Sequence, residues 1–105
     1  MKQITPQELR QRIERGERVA LLDVREAPEL QLAALPGATL LPMSELARRV
    51  CELDPDVEWI VFCHHGIRSV HVIAHLEQQG FSRLVNLRGG IDAWSREVDP
   101  KVPRY

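Results

Sequence analysis

The sequence has little cysteine, no long apolar run and almost no charge excess. Its two cysteines, Cys51 and Cys63, are too few for a disulfide scaffold, and a reducing compartment would keep both as thiols. No apolar stretch approaches the roughly 20 residues of a membrane span, so no membrane partner is expected. The formal net charge of -1 argues against a general nucleic-acid binder. Residues 1–6 contain nothing like a signal peptide, which favours a cytoplasmic protein.

Apolar runs of strand length alternate along the chain with segments of helical spacing. The strand-like runs cover residues 19–24, 38–41, 59–62 and 84–87. The helical segments run from a capping box at Thr5 and Glu8 to Gly16, from a cap at Ser44 to residue 50, and over residues 68–79 and 91–98. Near-continuous apolar strands are typical of a parallel sheet covered on both faces. The alternation therefore predicts an α/β fold with a mainly parallel sheet.

Two segments fall outside this alternation. Residues 26–34 follow the first strand, and Pro28 interrupts any helical pattern there. Residues 99–105 contain two prolines and are predicted to be irregular. No repeat, low-complexity tract or linker divides the chain.

Cys63 lies where an apolar run ends and a helical segment begins. Ligands of α/β sheets bind at such strand ends, and a helix N-terminus favours anions and stabilises a thiolate. Gly66 lies midway between Cys63 and Arg68, so the backbone can curl into a nest of N–H groups around a small anion. Arg68 adds a positive charge, and His64 and His65 can donate hydrogen bonds. This segment predicts a reactive thiolate inside a small anion-binding loop.

Four motifs in the same order resemble those of single-domain rhodaneses, a family of sulfurtransferases. They are Asp-Val-Arg at 23–25, Pro-Gly-Ala at 36–38, the cysteine loop at 63–68 and Gly-Gly-Ile-Asp-Ala-Trp at 89–94. The resemblance covers nearly the whole chain. It implies one rhodanese-like domain over residues 1–105, a three-layer α/β fold with about five sheet strands between helices. One departure is that Ala33 and Ala34 occupy positions where the family often has Gly-His, which affects local packing more than catalysis.

The resemblance implies sulfur transfer through a persulfide on Cys63. The thiolate would attack the outer sulfur of a small anionic donor such as thiosulfate, and sulfite would leave. A thiol, a protein thiol or cyanide would then take the sulfur. The substrate-binding residues are expected to be His64, His65, Gly66, Ile67, Arg68 and Ser69. Neither a cofactor nor a metal is implied, and a monomer is expected because no long exposed apolar stripe is evident.

Asp23 and Arg25 follow the first buried strand at the edge of the sheet where ligands bind. They share parity along the strand and therefore point the same way. They are interpreted as supporting residues for the cysteine loop or a ligand, with a structural ion pair as an equally good interpretation.

Two further features have structural interpretations. His71 and His75 are spaced for one helix face, but the Glu of the zincin motif is missing between them, so no metal site is predicted. Cys51 is predicted to be a buried structural thiol, because nothing places it within bonding distance of the loop.

Two other functions use similar elements. A cysteine-dependent phosphatase or arsenate reductase on the same fold has the strand, cysteine loop and helix, but usually one more residue between Cys and Arg and a His before the Cys. Here Phe62 precedes Cys63, and four residues separate Cys63 from Arg68. A non-catalytic interaction module is the third possibility, although inactive members of such families commonly lack the cysteine.

Overall fold

Five strands and four α-helices alternate in the computed structural model, which describes residues 1–105. The strands are β1 (Gln3–Ile4), β2 (Ala20–Asp23), β3 (Thr39–Leu40), β4 (Trp59–Phe62) and β5 (Leu84–Leu87). The helices are α1 (Pro6–Glu14), α2 (Leu46–Arg49), α3 (Ile67–Gln78) and α4 (Gly90–Glu97). None of these helices combines the length and the apolar content needed to span a bilayer.

All five strands are parallel, and they form one sheet in the order β1-β5-β4-β2-β3. Asp23 at the end of β2 pairs with Phe62 at the end of β4. The residues that follow these strands, Arg25 and Cys63 among them, therefore emerge at one edge of the sheet. The predicted α/β fold with a parallel sheet is confirmed.

The two faces of the sheet carry separate apolar clusters, which makes the fold three-layered. Along β4, Ile60 and Phe62 join one cluster, whereas Val61 joins the other together with Cys63. The first cluster includes residues of α1 and α4, and the second includes residues of α2 and α3. This alternation follows from the two-residue period of a strand, and it points Cys63 toward the layer that contains α3.

The local predictions hold best where sequence signals are strong. The capping box is present: the Glu8 amide donates to Thr5 Oγ1 at 3.1 Å, and the Thr5 amide donates to Glu8 Oε1 at 2.9 Å. The two-residue strand β1 was not predicted, since it is too short to give a pattern and forms by pairing with β5. The predicted cap at Ser44 is wrong. Its hydroxyl donates to Glu26 Oε1 at 2.7 Å, and a 3₁₀ turn over Met43–Glu45 precedes α2.

The segment interrupted by Pro28 contains a short 3₁₀ helix, Ala27–Gln31. Pro28 lies in its first turn, where a missing N–H costs no hydrogen bond. The side chain of Glu29 accepts the Glu26 amide at 2.9 Å, which closes the start of this turn. The turn carries Glu29 to the edge of the sheet from which the cysteine loop emerges.

Candidate active site

The sulfur of Cys63 lies at the N-terminus of α3. Its Sγ accepts hydrogen bonds from the amides of Gly66 at 3.1 Å and Ser69 at 3.4 Å. Gly66 precedes the helix with φ +103°, a conformation that residues with a Cβ rarely adopt. Cys63 is only 1% exposed, so the sulfur lies beneath the surface of the loop. Two amides and the positive end of a helix dipole thus meet at one sulfur.

Other amides of the loop have no partner. The backbone N–H groups of His65, Ile67 and Arg68 donate to no acceptor within the protein. Successive unpaired N–H groups at a helix start form an anion-binding nest. The loop therefore carries three backbone donors without a partner in the protein close to Cys63.

A buried polar chain lies behind the sulfur. The Ser69 hydroxyl donates to Asn86 Oδ1 at 2.6 Å, and the Cys63 thiol donates to Ser69 Oγ at 3.6 Å. All three residues are buried. Asn86 is the one polar residue of the buried strand β5, and this is the sequence signal that could have marked it. Because its carbonyl directs the serine proton away from the sulfur, Ser69 accepts from the thiol through its side chain and donates through its amide.

Arg68 is paired with Glu29. Its Nη1 and Nη2 donate to the two carboxylate oxygens at 2.7 and 2.8 Å. The Tyr105 hydroxyl also donates to Glu29, at 2.8 Å. The hydrogen bonds from Arg68 lower the pKa of Glu29 to about 2. Arg68 is predicted to bind the substrate, and in the structure its charge is matched by a carboxylate 39 residues away in the chain.

Asp23 and Arg25 form a buried ion pair. Arg25 donates from Nε to Asp23 Oδ1 at 2.9 Å and from Nη2 to Oδ2 at 2.7 Å. Arg25 is fully buried, and its Nη1 also donates to the Tyr105 hydroxyl at 3.0 Å. The ion-pair interpretation is confirmed. Through Tyr105, which also donates to Glu29, the pair is linked to the Arg68 contact.

The two histidines of the cysteine loop and Tyr105 form a row of aromatic rings in contact. The ring of His64 lies 3.7 Å from the ring of Tyr105 and nearly parallel to it, and His65 is 3.8 Å from His64. Burial, followed by the neighbouring His65, lowers the pKa of His64, which disfavours its charged form. Tyr105 comes from the tail predicted to be irregular, and no sequence signal indicates this contact.

The helix histidines, His71 and His75, are not part of a cluster of potential metal ligands. His71 and His75 join no group of three ligand atoms; the one such group is His64, His65 and Asp92, whose ligand atoms lie within 4.8 Å of one another. The carboxylate of Asp92 already accepts from Arg104 at 3.0 Å. The charge of Asp92 is therefore already matched by a guanidinium.

The Gly-Gly segment at the start of α4 packs directly against the cysteine loop. The amides of Ile91 and Asp92 donate to the carbonyls of Cys63 and His64 at 2.9 and 3.0 Å. Gly90 has φ +65°, and a Cβ there would lie 2.5 Å from each of those carbonyl oxygens. Only glycine permits this approach, which explains why the motif at the start of α4 belongs to the site.

Comparison with known proteins identifies the family. Residues 5–97 match the rhodanese-like domain. The chain belongs to the rhodanese family. A protein named sulfurtransferase from Allochromatium vinosum is 39% identical over 95% of this chain and 94% of its own length. A rhodanese-related protein from Thermoplasma volcanium has a crystal structure with TM-score 0.84 and 32% identity, covering 93% of this chain and 94% of that one.

Some rhodanese relatives are much longer proteins. The probable adenylyltransferase/sulfurtransferase MoeZ of Mycobacterium tuberculosis is 36% identical over 97% of this chain. The chain spans about a quarter of the length of that relative.

The rhodanese loop does not use all its residues alike. The amides of Gly66 and Ser69 meet at the sulfur of Cys63, whereas the side chain of Ile67 is exposed, with the residue 71% accessible.

Outside the loop, Cys51 is exposed, so the prediction of a buried thiol is wrong. It lies in a single 3₁₀ turn, Val50–Glu52. Its neighbours Val50 and Leu53 pack in the second apolar cluster, but the side chain of Cys51 does not.

The buried ion pair between Asp23 and Arg25 should contribute measurably to the stability of the protein. We expect Asp23→Asn to lower the free energy of unfolding by about 3 kcal/mol, because it leaves the buried guanidinium of Arg25 without a counter-charge. Asparagine keeps one oxygen acceptor, which holds the loss near the lower end for such pairs. Urea unfolding measures it. Glu14→Gln, in the exposed pair with Arg10, is the control and should change stability by less than about 0.5 kcal/mol. A loss below about 1 kcal/mol for Asp23→Asn would refute this role.

Proposed function

We propose that this protein moves sulfane sulfur from thiosulfate or a persulfide donor to a thiol or cyanide acceptor through a persulfide on Cys63. Membership of the rhodanese family and relatives named sulfurtransferase indicate sulfur transfer as the general kind of function. The specific route is argued from the loop. In the first step the Cys63 thiolate attacks the outer sulfur of the donor, the sulfur–sulfur bond of the donor breaks, and sulfite leaves with the electron pair.

In the second step the acceptor attacks the outer sulfur of the persulfide. The bond between the two sulfurs breaks, the acceptor keeps the transferred sulfur, and Cys63 recovers its thiolate. No external oxidant or reductant is needed, because the transferred sulfur brings its oxidation state with it. The two half-reactions share one covalent intermediate, so the donor product leaves before the acceptor reacts.

The single observation that carries this proposal is the set of amides around Sγ. The Gly66 and Ser69 amides donate to the sulfur of Cys63, and the unpaired amides of His65, Ile67 and Arg68 would be available to the terminal sulfur of the persulfide. Fixed dipoles of this kind stabilise charge without reorganising during the reaction. With Cys63 only 1% exposed, donors are restricted to those with an accessible terminal sulfur.

Steady-state kinetics test the proposal. Initial rates of thiocyanate formation, measured at several fixed cyanide concentrations while thiosulfate is varied, should give parallel lines in a double-reciprocal plot, because the free persulfide enzyme separates the two half-reactions. Intersecting lines would mean that both substrates bind before sulfur moves, and would contradict the persulfide route. Hydrolysis of a phosphate ester in place of sulfur transfer would support the phosphatase alternative.

A further inference from the structure

The loop has only one arginine, and that arginine already has an anionic partner. Arg68 donates from two nitrogens to both oxygens of Glu29, at 2.7 and 2.8 Å. The side chains are 29% and 19% exposed, so water screens the pair only in part. A bidentate, partly shielded pair of this kind is stronger than an ordinary surface contact. An incoming anion therefore meets Arg68 in competition with a carboxylate that is already in place.

Glu29 is also held in its ionised form. Besides Arg68, the Tyr105 hydroxyl donates to Oε1 at 2.8 Å and the Glu26 amide donates to Oε2 at 2.9 Å. These donors keep the pKa of Glu29 near 2, with Arg68 as the largest cause. At ordinary assay pH the Glu29 carboxylate therefore keeps its negative charge when an anion approaches.

The charges around the loop consequently cancel in pairs. Arg68 is matched by Glu29, and the buried Arg25 is matched by Asp23. Burial lowers the pKa of His64, which disfavours a positive charge on its ring. The backbone amides of the loop still attract an anion, but they carry only partial positive charges. The Glu29 carboxylate repels each further charge of the donor.

We propose that Glu29 is a specificity-determining residue that, by holding Arg68, disfavours dianionic sulfur donors and favours donors with a single negative charge. This rests on the proposed function, because it concerns the step in which Cys63 receives sulfur. The favoured class is an organic thiosulfonate or persulfide monoanion. With methanethiosulfonate, Cys63 attacks the outer sulfur, the bond between the donor's two sulfurs breaks, and methanesulfinate leaves with the electron pair. The Cys63 persulfide is the same as that formed from thiosulfate.

The test compares two donors that deliver the same sulfur with different charge. The rate constant for persulfide formation is measured under single-turnover conditions with thiosulfate and with methanethiosulfonate, for the parent and for Glu29→Gln. Glutamine keeps the shape of the side chain and removes its charge. We expect the thiosulfate rate constant to rise about tenfold and the methanethiosulfonate rate constant to rise only about threefold, because the Coulomb energy gained by removing one charge is proportional to the charge of the donor. Added salt should reduce the difference between the donors.

Glu26→Gln is the matched control. It removes one negative charge from the same segment, but the Glu26 carboxylate accepts from Ser44 and not from Arg68. Its ratio of thiosulfate to methanethiosulfonate rate constants should equal that of the parent. An equal change with both donors in Glu29→Gln, or a slower reaction with thiosulfate, would overturn the role of Glu29 and leave the persulfide route intact. Failure of the parent to accept sulfur from either donor would overturn the proposed function, and this inference with it.

Discussion

Cys63→Ser should transfer sulfur at least about a thousandfold more slowly than the parent, because a serine hydroxyl is neither ionised at neutral pH nor able to form a persulfide. The fold should be retained. A hydroxyl at this position can still accept from the Gly66 and Ser69 amides, so we expect the free energy of unfolding to change by only about 1 kcal/mol. Initial rates of thiocyanate formation measure the activity, and urea unfolding measures the stability.

The other cysteine supplies the matched control for this substitution. Cys51 is exposed and lies in a separate 3₁₀ turn, so Cys51→Ser should keep the activity and the stability of the parent. Turnover of Cys63→Ser within about tenfold of the parent would show that the sulfur passes elsewhere. Loss of activity in both serine variants would point to a dithiol route that the positions of the two cysteines do not favour.

Gly90→Ala should lower the free energy of unfolding by about 4 kcal/mol and also abolish sulfur transfer. The added Cβ would lie 2.5 Å from the carbonyl oxygens of Cys63 and His64, and the backbone there has φ +65°. The figure combines overpacking, backbone strain and the weakening of two amide hydrogen bonds. Activity fails because those hydrogen bonds, from Ile91 and Asp92, fix the carbonyls of the cysteine loop.

Gly16→Ala separates the two causes of this loss. Gly16 has φ +80°, but no atom lies within 4 Å of where its Cβ would be. It should therefore show the backbone cost alone, about 1 kcal/mol, with full activity. Urea unfolding and thiocyanate formation are measured for both variants. Equal losses of stability in the two would mean that the close approach of Gly90 to the loop has no energetic consequence.

The parts of the site that the sequence predicts are those made by neighbours along the chain. Cys63, Gly66 and Ser69 lie within one strand-to-helix turn, and the apolar run before them and the helical spacing after them are both visible in the sequence. The bounds of β4 and β5 agree with prediction residue for residue, because buried parallel strands give mainly apolar runs; only Asn86 in β5 is polar.

The parts that escape prediction are contacts between distant residues. Glu29 reaches Arg68 from a turn interrupted by proline, Asn86 reaches Ser69 from a buried strand, and Tyr105 reaches Glu29 across 76 residues. Each partner is a single polar residue, and its role depends on how the fold brings distant segments together. Cys51 was wrongly predicted to be buried, since a lone cysteine carries no information about which side of a turn it occupies.

The central claim is that Cys63 carries the transferred sulfur, and intact-protein mass spectrometry tests it most directly. The parent and Cys63→Ser are exposed briefly to thiosulfate or to methanethiosulfonate, separated from the donor and weighed, before and after treatment with cyanide. We predict a gain of one sulfur atom on the parent alone, lost again when cyanide is added. No gain from either donor, or an equal gain on Cys63→Ser, would contradict the account.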